Sequence, residues 1–421
     1  MGRSMVRWLG CATFVLLFVA CNNEPQSIAV GDLVPTVEYA NACWYQDGEF
    51  QRRSAFVRDG EFVATPALAA NHVVDLGGKY VVPGFAEGHH HMVLCNPEVI
   101  EQFIDAGIVY AGIMNARVSS RMCQSEMHPL DGLELVNTLA GITAREAHPY
   151  QIGLYFLEPN EIDGEWVHYV DSKLELDAVW PRISETAPDL VKIFLSYTEN
   201  YHELREDKTM ASWYRGLDPA LAAPIVSKAH AAGLLVAAHV MSAHDFKLAV
   251  ESGVEIIAHM PGFAPGSVFT EDDPHPWLAE LDAQPERYTI SEDVAAEAAK
   301  REVAVITTVS ADDPTPAIRA NFRILQDAGV TLLIGSDRGE FNAVDEAVFL
   351  VENGLMTAPK VLHSIAVTTP QRLFPGRDIG GLKEGAEATF VVLKSDPLQD
   401  FSAIRQVEHV VKRGTVLRPA D

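Results

Sequence analysis

Along the chain, a helical pattern ending in glycine is repeatedly followed by a continuous apolar run. The phrase occurs as Asp-Ala-Gly107 before Ile-Val-Tyr-Ala-Gly and as Ala-Ala-Gly233 before Leu-Leu-Val-Ala-Ala-His. It returns as Glu-Ser-Gly253 before Val-Glu-Ile-Ile-Ala-His and as Asp-Ala-Gly329 before Val-Thr-Leu-Leu-Ile-Gly. Glycine past a last helical turn supplies the left-handed position that ends a helix. Unbroken apolar runs suit strands buried on both faces of a parallel sheet. Tyr80 to Ala86, Gln151 to Leu157, Leu190 to Leu195 and Val303 to Val309 continue the rhythm, giving eight strands in all. Helical patterns such as Ile225, Val226 and Ala229 lie between them, with Ser291 as an N-cap ahead of Glu292. Eight alternating units predict an α/β fold, a (β/α)8 TIM-type barrel over residues 83–376.

The two ends of this pattern read differently. Residues 36–82 hold short β-like pieces broken by Asp47-Gly48, Asp59-Gly60 and Gly77-Gly78, and Ala388 to Leu393 and Val407 to Val411 repeat the style. Neither piece buries a core alone, so one composite β-sandwich domain from 34–82 and 377–421 is expected. The acidic, proline-rich stretch from Gly262 to Ile290 reads as a lid or rim loop.

Composition narrows the partners. At 48% hydrophobic and 21% charged residues, the 421-residue chain is globular. A net charge of −26 repels polyanions, so no nucleic-acid partner is expected; a homo-oligomer is allowed. Arg3 and Arg7 precede an apolar run from Trp8 to Ala20, too short to span a bilayer comfortably, and then Phe18-Val19-Ala20-Cys21. This stretch resembles a bacterial lipoprotein signal, which implies a signal over 1–20, lipidation at Cys21, a tether over 21–33 and an exported, envelope-anchored protein. An ordinary cleaved signal is the alternative. Cys95 and Cys123 fall in loops after neighbouring strands, and a disulfide between them is expected.

Working residues of such a barrel stand at the C-terminal ends of its strands. His89 and His91 share parity after the first strand and can face one ion. His239 and His259 each lie six residues beyond the glycine that opens their strand, which gives equal depth and equal face. Asp337 closes the eighth strand, and Lys192 sits in the apolar Val-Lys-Ile-Phe run. Imidazole and carboxylate suit zinc and similar divalent metals, and a barrel mouth leaves a position for water. An unpaired ammonium there is costly, so the Lys192 nitrogen must be neutralised; reaction with CO2 gives a carboxylate able to bridge two ions.

These residues, in this order, resemble the amidohydrolase superfamily, together with Val81-Val82-Pro83-Gly84-Phe85, Thr369-Pro370-Gln371-Arg372-Leu373 and Gly380-Gly381-Leu382-Lys383-Glu384-Gly385. The resemblance implies His89 and His91 on one metal, His239 and His259 on a second, and carboxylated Lys192 bridging them. Asp337 would bind the first metal and pass a proton to the leaving nitrogen as a metal-bound hydroxide attacks the carbonyl and the carbon–nitrogen bond breaks. It implies a small amide, dipeptide or cyclic amide as substrate, with Xaa-Pro or Xaa-Arg dipeptidase-like members the most similar. Glu87 stands where the family often has Asp, and altered tuning of His89 is expected; His90 is read as pointing away. Arg117, Tyr197, Tyr201 and Arg338 lie on loops that should face the substrate. Three readings compete: a mononuclear deaminase or imidazolonepropionase-like cyclic amidohydrolase, a phosphotriester or lactone hydrolase, and a noncatalytic envelope lipoprotein.

Overall fold

A computed structural model describes residues 35–66, 69–91, 95–127, 132–207, 211–262, 284–309, 313–339 and 341–419. The expected signal, Cys21, the tether and residues 263–283 of the rim loop lie outside these residues.

Five strands come first: β1 (Val37–Gln46), β2 (Glu49–Arg58), β3 (Glu61–Val63), β4 (His72–Asp75) and β5 (Tyr80–Pro83). Next come β6 (Phe85–His90), β7 (Ile108–Ile113), β8 (Glu134–Asn137), β9 (Gly141–Thr143) and β10 (Val167–Tyr169). They are followed by β11 (Val191–Phe194), β12 (Val236–His239), β13 (Ile256–Ile257), β14 (Ala304–Ile306) and β15 (Thr331–Leu333). Last are β16 (Phe390–Leu393), β17 (Val407–Lys412) and β18 (Thr415–Arg418).

The fold is mixed α/β. Strands from both ends of the chain share one largely antiparallel sheet, ordered β18-β17-β16-β5-β1-β2-β3 with β4 beside β1. The middle of the chain forms two parallel sheets, β6-β7-β8 and β10-β9-β11-β12-β13-β14-β15. The Gly88 amide donates to the Ile334 carbonyl and the Asp337 amide to the His89 carbonyl, both at 2.8 Å, joining the end of β6 to the segment after β15. The glycines read as helix ends, Gly107, Gly233, Gly253 and Gly329, all have positive φ. Ser291 precedes the helix Glu292–Lys300 without a capping bond from its side chain. Among the described residues no helix is long and apolar enough to cross a membrane.

Two expected strands are corrected. Gln151 to Leu157 is not a strand: Tyr150–Gly153 is one helical turn, and the segment packs Ile152 and Leu157 against Ile162 and Trp166. The strand between β7 and β11 is instead β8 with β9, interrupted where Leu139 takes a φ of 53°. Tyr80 to Ala86 is also divided, because β5 pairs with β16 whereas β6 pairs with β7. The chain crosses between the sheets at Gly84, where a Cβ would lie 2.5 Å from Val109 Cγ2, closer than any side chain tolerates. Cys95 and Cys123 form the expected disulfide, which ties the loop after β6 to the helix Arg121–Met127.

A buried ion network joins the terminal sheet to the parallel strands. Lys412 of β17 donates to Glu134 at the start of β8 and to Glu387, each at 3.1 Å, and Arg377 pairs with the same two carboxylates. The Tyr110 hydroxyl donates to Glu387 at 2.8 Å. Burial raises the Glu387 pKa, but Lys412, Thr389 and Tyr110 outweigh it and hold the carboxyl down at about 2. Stability from that group is complete above the ordinary carboxylate range and is lost as pH falls through that value. Burial lowers the Lys412 ammonium below its usual range, so the net contribution is smaller than Glu387 alone implies. Removing one partner of a buried network strands the others, so Lys412→Met is expected to cost about 3–5 kcal/mol. Urea unfolding of the two proteins measures this, and a difference under about 1 kcal/mol contradicts it.

Candidate metal centre

Four strand ends deliver the chemistry. β6 and the residue beyond it bring His89 and His91, β12 ends on His239, and His259 and Asp337 follow β13 and β15 by two and four residues. Lys192 lies inside β11, one strand over from His239, since Lys192 is in register with Ala237 and Phe194 with His239.

The first group is tight. The His89 Nδ1–H donates to the Ala258 carbonyl at 3.2 Å, and the His91 Nδ1–H donates to the Asn115 carbonyl at 2.9 Å. Those bonds place the protons on the outer nitrogens and leave both Nε2 lone pairs facing inward. The two Nε2 atoms stand 3.1 Å apart, and Asp337 Oδ1 lies 3.2 Å from one and 2.9 Å from the other. Asp337 Oδ2 is 3.5 Å from His259 Nδ1, which also pairs with the Thr308 hydroxyl at 3.0 Å. Ligand atoms of His89, His259 and Asp337 all lie within 4.8 Å of one another.

The second group continues from His259. Its ring centroid is 4.7 Å from that of His89 and 4.7 Å from that of His239, so His259 stands between the two. Lys192 is 1% exposed, and its Nζ has no hydrogen-bond partner among the described residues. Burial lowers its pKa to about 7, only partly offset by Asp337. A Lys192 charge would depress His89, His148, His239 and His259 alike, which marks all four as sharing its surroundings. Burial is the main cause that lowers those imidazoles, to about 3 for His148 and His259, and keeps them neutral at pH 7. Burial opposes ionisation of Asp337 too, and a protonated His89, His259 or His91 would pull the carboxyl well below its usual range.

Supporting residues shape this centre. The Glu87 carboxylate accepts from the His89 amide, the Ser336 amide and the Ser336 hydroxyl at 2.8–2.9 Å. It therefore braces the end of β6 to the segment after β15 through His89 and Ser336, whereas the His89 ring is held by Ala258. Burial drives the Glu87 pKa up to about 8 despite those three donors. The His90 Nε2–H donates to the Arg338 carbonyl at 2.9 Å, outside the cluster.

The sequence reading missed His148. It follows β9, its ring lies 4.3 Å from that of His239 and 5.4 Å from that of Phe194, and its amide donates to the Arg215 carbonyl at 2.8 Å. Its position a few residues past a strand end is the signal that finds it, once that strand is correctly placed. The four expected substrate residues are engaged in other contacts. Arg117 pairs with Glu165 at 3.1 Å, and the Tyr201 hydroxyl accepts from Arg205 at 3.0 Å. Tyr197 is wholly buried, with its hydroxyl 3.2 Å from that of Tyr288. Arg338 is half-buried and presents its carbonyl to His90.

The donor set fits a divalent cation. Two inward lone pairs and a carboxylate oxygen converge within hydrogen-bond distance of one another, three acceptors without a donor among them. A metal satisfies all three, and beside them the buried Lys192 nitrogen has no hydrogen-bond partner among the described residues.

No protein-family profile matches the chain, and no curated protein is similar to it in sequence. Solved structures are similar in fold. A crystal structure of an amidohydrolase has a TM-score of 0.69 at 17% identity, covering 91% of this chain and 99% of the other. A Xaa-Pro dipeptidase with bound methionine in its active site has a TM-score of 0.68 at 17% identity, covering 91% and 100%. The ochratoxinase of A. niger has a TM-score of 0.69 at 14% identity, covering 91% and 96%. Identities this low show a shared fold.

Proposed function

We propose that this protein is a metal-dependent hydrolase of a carbon–nitrogen bond in a small amide or dipeptide, working at two divalent ions, with zinc the expected metal. The observation that carries the reading is the convergence of His89 Nε2, His91 Nε2 and Asp337 Oδ1 with no donor among them. His89, His91 and Asp337 would hold one ion, His239 and His259 the other, and carboxylated Lys192 would face both. Divalent metal supplies Lewis acidity, which lowers the pKa of water and polarises a carbonyl.

The chain's own groups do the remaining work. The Ala258 and Asn115 carbonyls fix the tautomers of His89 and His91, so neither ring offers a proton to the reacting centre. Asp337 keeps Oδ1 toward those imidazoles, and its Oδ2 takes the proton of the attacking water and delivers it to the leaving nitrogen. Burial holds the imidazoles neutral and the Lys192 amine close to neutrality, the states that bind metal and react with CO2.

The Gly88–Ile334 and Asp337–His89 bonds support reading the two parallel sheets as one closed (β/α)8 barrel. The Cys95–Cys123 disulfide supports an exported protein, which the N-terminal stretch would carry out and anchor at Cys21. One observation favours the mononuclear alternative: a ligand atom of His259 lies within 4.8 Å of those of His89 and Asp337, so His259 could serve the first ion as well.

The test is a hydrolysis panel on zinc-loaded protein with Xaa-Pro and Xaa-Arg dipeptides, N-acyl amino acids, cyclic amides, a lactone and a phosphotriester. Turnover of a dipeptide or amide that stops on chelation is expected. Turnover confined to the ester substrates, or untouched by chelation, contradicts the reading.

A further inference from the structure

Asp245 is fully buried, and its carboxylate accepts five hydrogen bonds. It stands in the first turn of the helix Ala243–Ser252, where it forms a capping box with Ser242. A cap needs only the reciprocal pair with Ser242. Three of the five donors belong instead to a distant loop: the Tyr197 amide at 2.9 Å, the Thr198 amide at 2.9 Å and the Thr198 hydroxyl. The other two are the amides of Met241 and Ser242, at 3.1 and 3.0 Å.

The two loops so joined are the ones that follow Lys192 and His239. Tyr197 comes three residues after the end of β11, and Met241 comes two residues after His239. Between them the strands are already paired, with the Leu195 amide donating to the His239 carbonyl at 2.9 Å. Tyr197 also holds a left-handed backbone, φ 48°, which a bulky residue keeps only when its surroundings impose it. The surroundings are the Asp245 clasp, the stacked Tyr214 ring at 5.4 Å and the Arg287 guanidinium 4.4 Å over the Tyr197 face.

We infer that Asp245 is a positioning residue for the second metal: by clasping the loops beyond β11 and β12 it fixes the separation of Lys192 and His239, and so the affinity of that ion. The inference rests on the binuclear reading above. Asp245 touches neither ion nor substrate, and its effect runs through backbone.

Asp245→Asn tests this, because the amide nitrogen keeps the shape yet must face N–H donors of one loop or the other. Thr198→Val removes one donor and leaves the carboxylate, so it reports even where the first variant fails to fold. Each full-length protein is loaded with zinc and bicarbonate and titrated with a competing chelator to give both ion affinities. Melting is followed with and without zinc. The expected result for Asp245→Asn is one ion weakened roughly 10–100-fold with the other unchanged, and a smaller loss in the same ion for Thr198→Val. The zinc-dependent rise in melting temperature shrinks accordingly, whereas a merely structural role lowers melting with and without zinc alike. Unchanged affinities in both variants, or equal weakening of both ions, overturn the positioning role. A wild-type protein that takes up only one ion fails the binuclear reading itself, and the positioning role falls with it.

Discussion

Asp337→Asn is expected to lower kcat/KM of the proposed amide hydrolysis by roughly 10³-fold, the scale of a lost general acid–base group. The substitution keeps the size of the side chain and replaces one oxygen by an amide that cannot take a proton. It also removes one oxygen of the donor set shared with His89, His91 and His259, since Asp337 lies within 3.5 Å of all three. Part of the loss therefore shows as reduced metal content, and measuring zinc beside activity separates the two. If activity at full metal occupancy falls less than about tenfold, Asp337 is a ligand without a role in proton transfer.

Lys192→Ala is the second substitution with a large effect. It removes a wholly buried nitrogen with no hydrogen-bond partner among the described residues, so a purely structural lysine predicts a stable variant with intact metal. A bridging carboxylate predicts the opposite: one ion lost, hydrolysis abolished, and partial rescue by a short carboxylic acid that occupies the vacated space. Retained stoichiometry in the variant returns Lys192 to a structural role.

Much of the centre was legible because strand geometry repeats. His239 and His259 were found from their equal offset past Gly233 and Gly253, and those glycines do take the left-handed conformation that ends a helix. His89 and His91 followed from parity. The third strand was not legible, for a physical reason. Glu134–Asn137 and Gly141–Thr143 are each too short to give a periodic signal, while the apolar run at Gln151 owes its character to a small satellite core. Tyr155 and Phe156 in that run are 69% and 49% exposed, which no buried strand would be. Misplacing that strand put His148 before it rather than after it, and so hid a residue whose ring lies 4.3 Å from that of His239. The loop residues Arg117, Tyr197 and Tyr201 illustrate another limit. Position after a strand places a side chain near the mouth, but only packing decides whether it faces outward or, like Tyr197, into the body of the protein.

The most direct measurement is the metal content of the wild-type protein without residues 1–20, grown with added zinc and bicarbonate and measured against protein concentration. Close to two ions per chain, falling to about one in Lys192→Ala, is the predicted result. One ion indifferent to that substitution would contradict the bridged pair in favour of a mononuclear hydrolase. No retained metal would contradict the hydrolase itself.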